Sequence, residues 1–302
     1  MCKMIEIVVN FLIGHVRFNM KPNQSLSKYV KRQIDDVVKS PEDKRLYRGY
    51  ELANELLVLL ISDPLTDKSA ASLDVNVGYM CDPVKLPGLA HFCEHMLFMG
   101  TKKYPVENDY DNYLSNHGGS SNAYTTAEHT NFFFEVGPDH LDGAIDRFAQ
   151  FFISPLFEKD AVEREVMAVD SEFQNYIQDD DDRLLQLERT LAKELHPFRK
   201  FDCGNRATLF ENPRAKHNLD PLEELIKFYN QFYSSNLMRA VIIGKETLDQ
   251  LAEMCTYMPE NQFINIKLFV IELQQIYYND DFFGSFKNLV FALKNAHRRF
   301  IY

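Results

Sequence analysis

Residues 56–61 read Leu-Leu-Val-Leu-Leu-Ile, an unbroken aliphatic run. The run offers no polar position to turn towards water, so it reads as a strand buried inside a sheet. Asp63-Pro64 and Asp67-Lys68 then mark a turn. After it, Ala71, Leu73, Val75 and Val77 alternate with Ser72, Asp74 and Asn76. A period of two with polar residues on one side predicts a half-exposed strand. A sheet begun this way needs a second layer to cover its apolar face.

Helical patterns supply that layer. Pro87-Gly88 precedes a helix-like run from Leu89 to Met99, which Gly100 would end. Further helices are predicted over 105–114, 138–152, 158–178, 183–195 and 221–233. Strands are predicted over 121–125 and 130–136, as a hairpin, and over 237–243. The fold class is therefore α+β: a two-layer domain with a largely antiparallel sheet and helices packed on one face. Residues 1–25 show no clear pattern and read as an N-terminal extension. The domain is expected to run from 26 to 258. From about Met258 the chain turns to Asn, Phe, Ile and Tyr without a period, so 259–302 reads as a separate tail. Apart from Asp179–Asp182 there is no low-complexity segment.

Composition narrows the partners. The formal net charge of −11 repels phosphate backbones, which excludes nucleic acid as an expected ligand. No apolar stretch approaches the length of a membrane span, so no membrane partner is expected. The five cysteines are scattered and odd in number, without the spacing of a disulfide framework or a cysteine zinc site. They read as reduced thiols, which points to a cytoplasmic address, with mitochondrial import as the alternative.

The chemistry is concentrated in His91-Phe92-Cys93-Glu94-His95. On a helix, residues four apart share a face one turn apart, so the two imidazoles can grip one cation. Glu94 lies about 100° round the helix from His95 and can reach a water on that cation without being a ligand. Phe92 and Cys93 point the other way, to the core. This is the H-x-x-E-H arrangement of one class of zinc peptidases. A catalytic zinc takes three protein ligands and a water. The third ligand must come from elsewhere, and Glu163, Glu165 and Glu172 lie on the helix predicted over 158–178. Glu165 and Glu172 are seven apart and share a face. One can bind the metal while the other orients a histidine ring, and spacing does not say which. Acidic residues on a helix also make an ordinary solvated face.

Longer runs carry a resemblance. His91–Pro105 (HFCEHMLFMGTKKYP), Gly119–Thr125 (GSSNAYT), Asp146–Phe152 (DRFAQFF), Glu163–Glu172 (EREVMAVDSE) and Ser234–Met238 (SSNLM) resemble the insulin-degrading-enzyme branch of the pitrilysin-like zinc peptidases. The resemblance runs from about residue 45 to about 254. It implies a zinc metalloendopeptidase acting on small polypeptides, with one Zn²⁺ per chain. It implies His91, His95 and Glu172 as metal ligands, Glu94 as general base and Glu165 as the supporting carboxylate. Asn122 and Ala123 would lie on an edge strand that pairs with a peptide substrate. Phe98 and Tyr124 would line the pocket beside the scissile bond, although plain core packing accounts for each aromatic equally well.

The chain also departs from that family. Asp182 stands where the family carries an aromatic. The family's enzymes are several times longer, with two halves closing round a chamber, and the C-terminal half supplies an arginine and a tyrosine to the substrate. Nothing in this sequence corresponds to them. The expected partners are therefore peptide substrates and either a C-terminal half or a second copy of the chain. The competing expectation is a fragment of weak or no activity that binds zinc and peptide or dimerises.

Overall fold

In the computed structural model, residues 29–255 are described. The extension expected over 1–25, the tail expected over 259–302 and Cys2 lie outside them. Among the described residues, seven strands form one sheet: β1 (Val30–Ile34), β2 (Leu46–Leu52), β3 (Leu57–Ser62), β4 (Ser69–Val75), β5 (Ser120–Thr125), β6 (Thr130–Val136) and β7 (Met238–Gly244). Their order is β1-β2-β3-β7-β4-β6-β5. All pairs are antiparallel except β3 with β7, which run parallel from Leu57↔Arg239 to Ser62↔Gly244. The helices are α1 (Leu89–Leu97), α2 (Asp109–Asn116), α3 (Leu141–Ile153), α4 (Lys159–Tyr176), α5 (Asp180–Leu191), α6 (Asn212–His217), α7 (Pro221–Phe232) and α8 (Leu248–Met254). The α+β class and the mostly antiparallel sheet are as the sequence led us to expect.

The aliphatic run behaves as read: Val58, Leu60 and Ile61 are fully buried. The half-exposed reading of the next strand is corrected. Every residue of β4 is buried, Ser72 and Asp74 included, and only Asn76 beyond its end is exposed. The reason is position. β4 lies inside the sheet, and its polar side chains find partners on β6 and its turn instead of water. Ser72 Oγ donates to Asn131 Oδ1 at 3.1 Å, and Asp74 Oδ1 sits 2.8 Å from His129 Nδ1.

Helix ends also shift. α2 starts at Asp109, not Pro105, because Asn108 adopts a left-handed conformation (φ 68°) before it. α5 begins at Asp180, because Asp179 caps it by accepting from the backbone N–H groups of Asp181 and Asp182. The acidic run is thus the first turn of a helix, where negative charge opposes the positive end of the helix dipole. Beneath the sheet lies an aromatic core. Phe132, Phe134, Phe148 and Phe152 are at most 1% exposed and meet mostly edge to face at 5.3–5.4 Å. Each such ring contributes about 1.5–3 kcal/mol by burial. Phe98, just after α1, packs its ring on Phe151 (5.1 Å) and ties α1 to this core.

Candidate metal centre

α1 begins abruptly. Gly88 precedes it with φ 93°, and buried Asp82 caps it: Oδ2 accepts from Gly88 N (2.7 Å) and Oδ1 from Ala90 N (2.8 Å). The helix buries Phe92, Cys93, Met96 and Leu97 completely. Its other face carries His91 and His95, whose Nε2 atoms stand 3.2 Å apart. α4 packs alongside and brings its carboxylates to them. Glu172 Oε2 is 3.3 Å from His91 Nε2, and Glu172 Oε1 is 3.4 Å from His95 Nε2. Glu165 Oε2 is 3.4 Å from the other nitrogen of His95, Nδ1. Glu163 faces solvent. The two carboxylates that spacing left equivalent therefore meet different nitrogens.

His91, His95 and Glu172 each offer one ligand atom, all within 4.8 Å of one another. The separations fit a small tetrahedral cation. Donors held about 2.0–2.1 Å from a shared zinc would stand about 3.3–3.4 Å apart, close to what is observed. Two imidazoles and one carboxylate are also a donor set that zinc accepts. The electrostatics point the same way. Burial works against charge on His91, yet the side chains of Cys203 and Glu172, with a smaller contribution from the Cys203 main chain, outweigh it and push its pKa up to about 11. Burial likewise opposes charge on His95, and Glu165 and Glu172 again raise its pKa. Hydrogen bonds from both histidines hold Glu172 well below the usual carboxylate range. The cluster favours positive charge at its centre.

Glu94 is buried and outside this ligand group. Burial raises its pKa, while the two histidines and a 2.5 Å hydrogen bond from Thr125 Oγ1 draw it back. Thr125 stands in β5, so this hydrogen bond ties the strand to α1. Sequence reasoning placed Thr125 in a strand and in a family-like run, and Cys203 among the scattered thiols, but gave neither a role at the site. The contact from Cys203 is made by its main-chain oxygen, 2.8 Å from His91 Nδ1, which no residue type announces.

Residues 57–196 match the family Insulinase (Peptidase family M16). The chain carries an M16 peptidase domain. It is 55% identical to the insulin-degrading enzyme of Mus musculus over 225 residues, which are 74% of this chain and 22% of that enzyme. A Caenorhabditis elegans protein named as a zinc protease is 50% identical over 238 residues, 79% of this chain and 27% of that protein. The crystal structure of pitrilysin superposes with a TM-score of 0.71 at 38% identity, over 80% of this chain and 24% of that one. The chain thus spans about a fifth to a quarter of the length of the proteins it matches.

Around its histidines the M16 domain opens a cavity of about 1040 Å³. Phe98, Asn122, Ala123, Tyr124 and Asp182 all border it. They do not share one wall. Alternation along β5 places Asn122 and Tyr124 on the exposed side, with Ser121, Ala123 and Thr125 towards the helices. Tyr124 is 37% exposed, whereas Phe98 is held among core rings. β5 is the last strand of the sheet among the described residues. Thr126 N donates to His129 O at the hairpin turn. Antiparallel alternation from that point puts Ala123 in a non-hydrogen-bonded pair with Phe132, its N–H directed off the edge. Asn122 Oδ1 accepts that N–H at 2.9 Å. No helix among the described residues is long and apolar enough to cross a membrane, and Cys81, Cys93, Cys203 and Cys255 are all free thiols.

Proposed function

We propose that this chain is the metal-bearing portion of a zinc endopeptidase that hydrolyses peptide bonds in small polypeptides. The observation that carries the reading is the clustering of His91 Nε2, His95 Nε2 and a Glu172 oxygen at zinc-bridging distances beside a buried Glu94. These three residues would hold one ion per chain. Zinc bound there supplies Lewis acidity towards a peptide carbonyl and makes water a better nucleophile at neutral pH. Glu94 takes a proton from the attacking water and returns it to the leaving amine. Glu165 orients the His95 ring through Nδ1. An extended peptide adds to the free edge of β5, with the Ala123 N–H as one of its donors once Asn122 swings aside. Phe98 and Tyr124 receive flanking side chains.

The domain assigned to this activity is 26–258, and the free thiols support a cytoplasmic address. The proteins this chain matches extend well beyond it, since it covers 22–27% of their length, and the cavity beside the proposed ligands is open. We therefore assign it zinc binding with feeble cleavage, and a C-terminal half or a second copy as the partner that completes the site. The test is metal content together with turnover of a short fluorogenic peptide, alone and with a C-terminal half from a related enzyme. About one zinc, slow turnover and a rise of about 100-fold or more with the added half are the expected results. Absence of bound zinc would overturn the metal reading. Full turnover by the chain alone would overturn the partner reading.

A further inference from the structure

The segment 200–206 is in contact with both helices that carry the metal-facing side chains. Towards α4, the Phe201 ring meets Phe173 edge to face at 5.3 Å, and Arg206 N donates to Asp170 Oδ1 at 2.9 Å. Towards α1 the contacts are closer. Lys200 Nζ donates to two main-chain carbonyls before the helix, Met80 O at 2.6 Å and Asp82 O at 2.5 Å. Asp82 is the residue whose carboxylate caps α1. Gly88 and Gly204 then meet backbone to backbone, both with positive φ (93° and 75°). A Cβ on Gly88 would lie 2.2 Å from Gly204 Cα, and one on Gly204 would lie 2.9 Å from Leu209 Cδ1. That closeness leaves the Cys203 carbonyl 2.8 Å from His91 Nδ1.

A carbonyl oxygen only accepts, so Nδ1 must carry a proton, and Nε2 is the nitrogen left to give up its own proton and offer a lone pair when a cation binds. His95 is oriented by a carboxylate, Glu165. His91 is oriented by a peptide oxygen, whose placement depends on whatever pins its loop. We propose that Lys200 and Gly204 are positioning residues for the metal centre: they pin the 200–206 segment to the start of α1 so that the Cys203 carbonyl fixes the tautomer and ring angle of His91. The inference rests on the metal-centre reading above. Neither residue touches substrate or metal. Their effect passes through His91.

The experiment measures zinc affinity by chelator competition and His91 ring-nitrogen chemical shifts by NMR, on the full chain. In the unsubstituted protein, Nδ1 of His91 carries the hydrogen-bonded proton. A bare Nδ1 would overturn the proposal without any variant. Lys200→Met weakens zinc binding by about 10–100-fold, the usual cost of losing an outer partner, and disturbs the His91 shifts. Lys200→Arg, which can still donate to both carbonyls, restores most of the affinity. Gly204→Ala shifts both readouts in the same direction as Lys200→Met. Lys103→Met removes an ion pair with Asp146 elsewhere and leaves zinc affinity unchanged. A purely structural role for Lys200 would lower the melting temperature yet leave affinity and shifts as they were, and that result overturns the proposal. Failure of the unsubstituted protein to bind zinc would instead defeat the metal-centre reading.

Discussion

Glu94 is where the proposed proton transfer and the proposed metal binding separate. It touches Thr125 and lies outside the three-residue ligand group. Glu94→Gln is therefore expected to keep about one equivalent of zinc while cutting hydrolysis by about 100–10,000-fold, with metal content and turnover measured on the same sample. Loss of zinc would make Glu94 a ligand. Burial raises the Glu94 pKa above the ordinary carboxylate value, and a base must be ionised to act. Activity should then fall as pH drops through that raised pKa. Thr125→Val removes a donor that favours the ionised form, so the acid limb of kcat/KM should move to higher pH. An unmoved limb would deny Thr125 that influence. Glu172 and Glu165 make a matched pair for comparison. Glu172→Gln should weaken zinc binding by more than the roughly 10–100-fold expected for Glu165→Gln, because only Glu172 approaches both Nε2 atoms. Chelator competition gives the order, and the reverse order would exchange their roles. The two histidines were legible in sequence because a four-residue spacing and a shared chemistry coincide. The division between Glu165 and Glu172 was not, because seven residues leave both on one face, and only the seating of α4 against α1 tells them apart.

At the scale of elements, β5 is the part open to a test of its own. Its outward Ala123 N–H is held by the Asn122 side chain, so an incoming strand must displace that contact. A peptide N-methylated where its N–H would pair with β5 should bind more weakly, by about a factor of 5–10 for one lost hydrogen bond. Methylation at the alternate residues, whose N–H groups point away, should change little. Equal effects at both positions in inhibition assays would argue against strand addition. Element reading from sequence succeeded where a pattern ran long. β3, β6, α4 and α7 lie within a residue or two of their expected limits. It missed β1 and β2, whose sequences VKRQI and LYRGYEL mix charge into both faces near the sheet margin. It missed α8 as well, although Thr247 and Gln250 form a capping box in front of it. The burial of β4 could not be read from its residues, since Ser72 and Asp74 look wetted until β6 supplies their partners.

For the fold as a whole, the decisive feature is the strand that joins the sheet last in sequence among the described residues. β7 lies between β3 and β4 and pairs with both, in parallel with β3 across roughly 180 residues of chain. Until β7 arrives, β3 and β4 have no common neighbour, and the layer beneath α1 and α4 is not closed. Such long-range pairing carries its loop-closure cost before its contacts repay it, which slows the search for the native arrangement. The proposed ligands come from α1 and α4, both within the long excursion between β4 and β7. Metal capture should then follow sheet closure in time. In refolding experiments the main folding rate should be the same with and without zinc, and zinc uptake should lag behind it. Acceleration by zinc would mean that the histidines and Glu172 meet first and that the ion nucleates the fold. On a ribosome, the same topology brings α1 out well ahead of β7 and leaves it waiting for that strand before its histidines are of use.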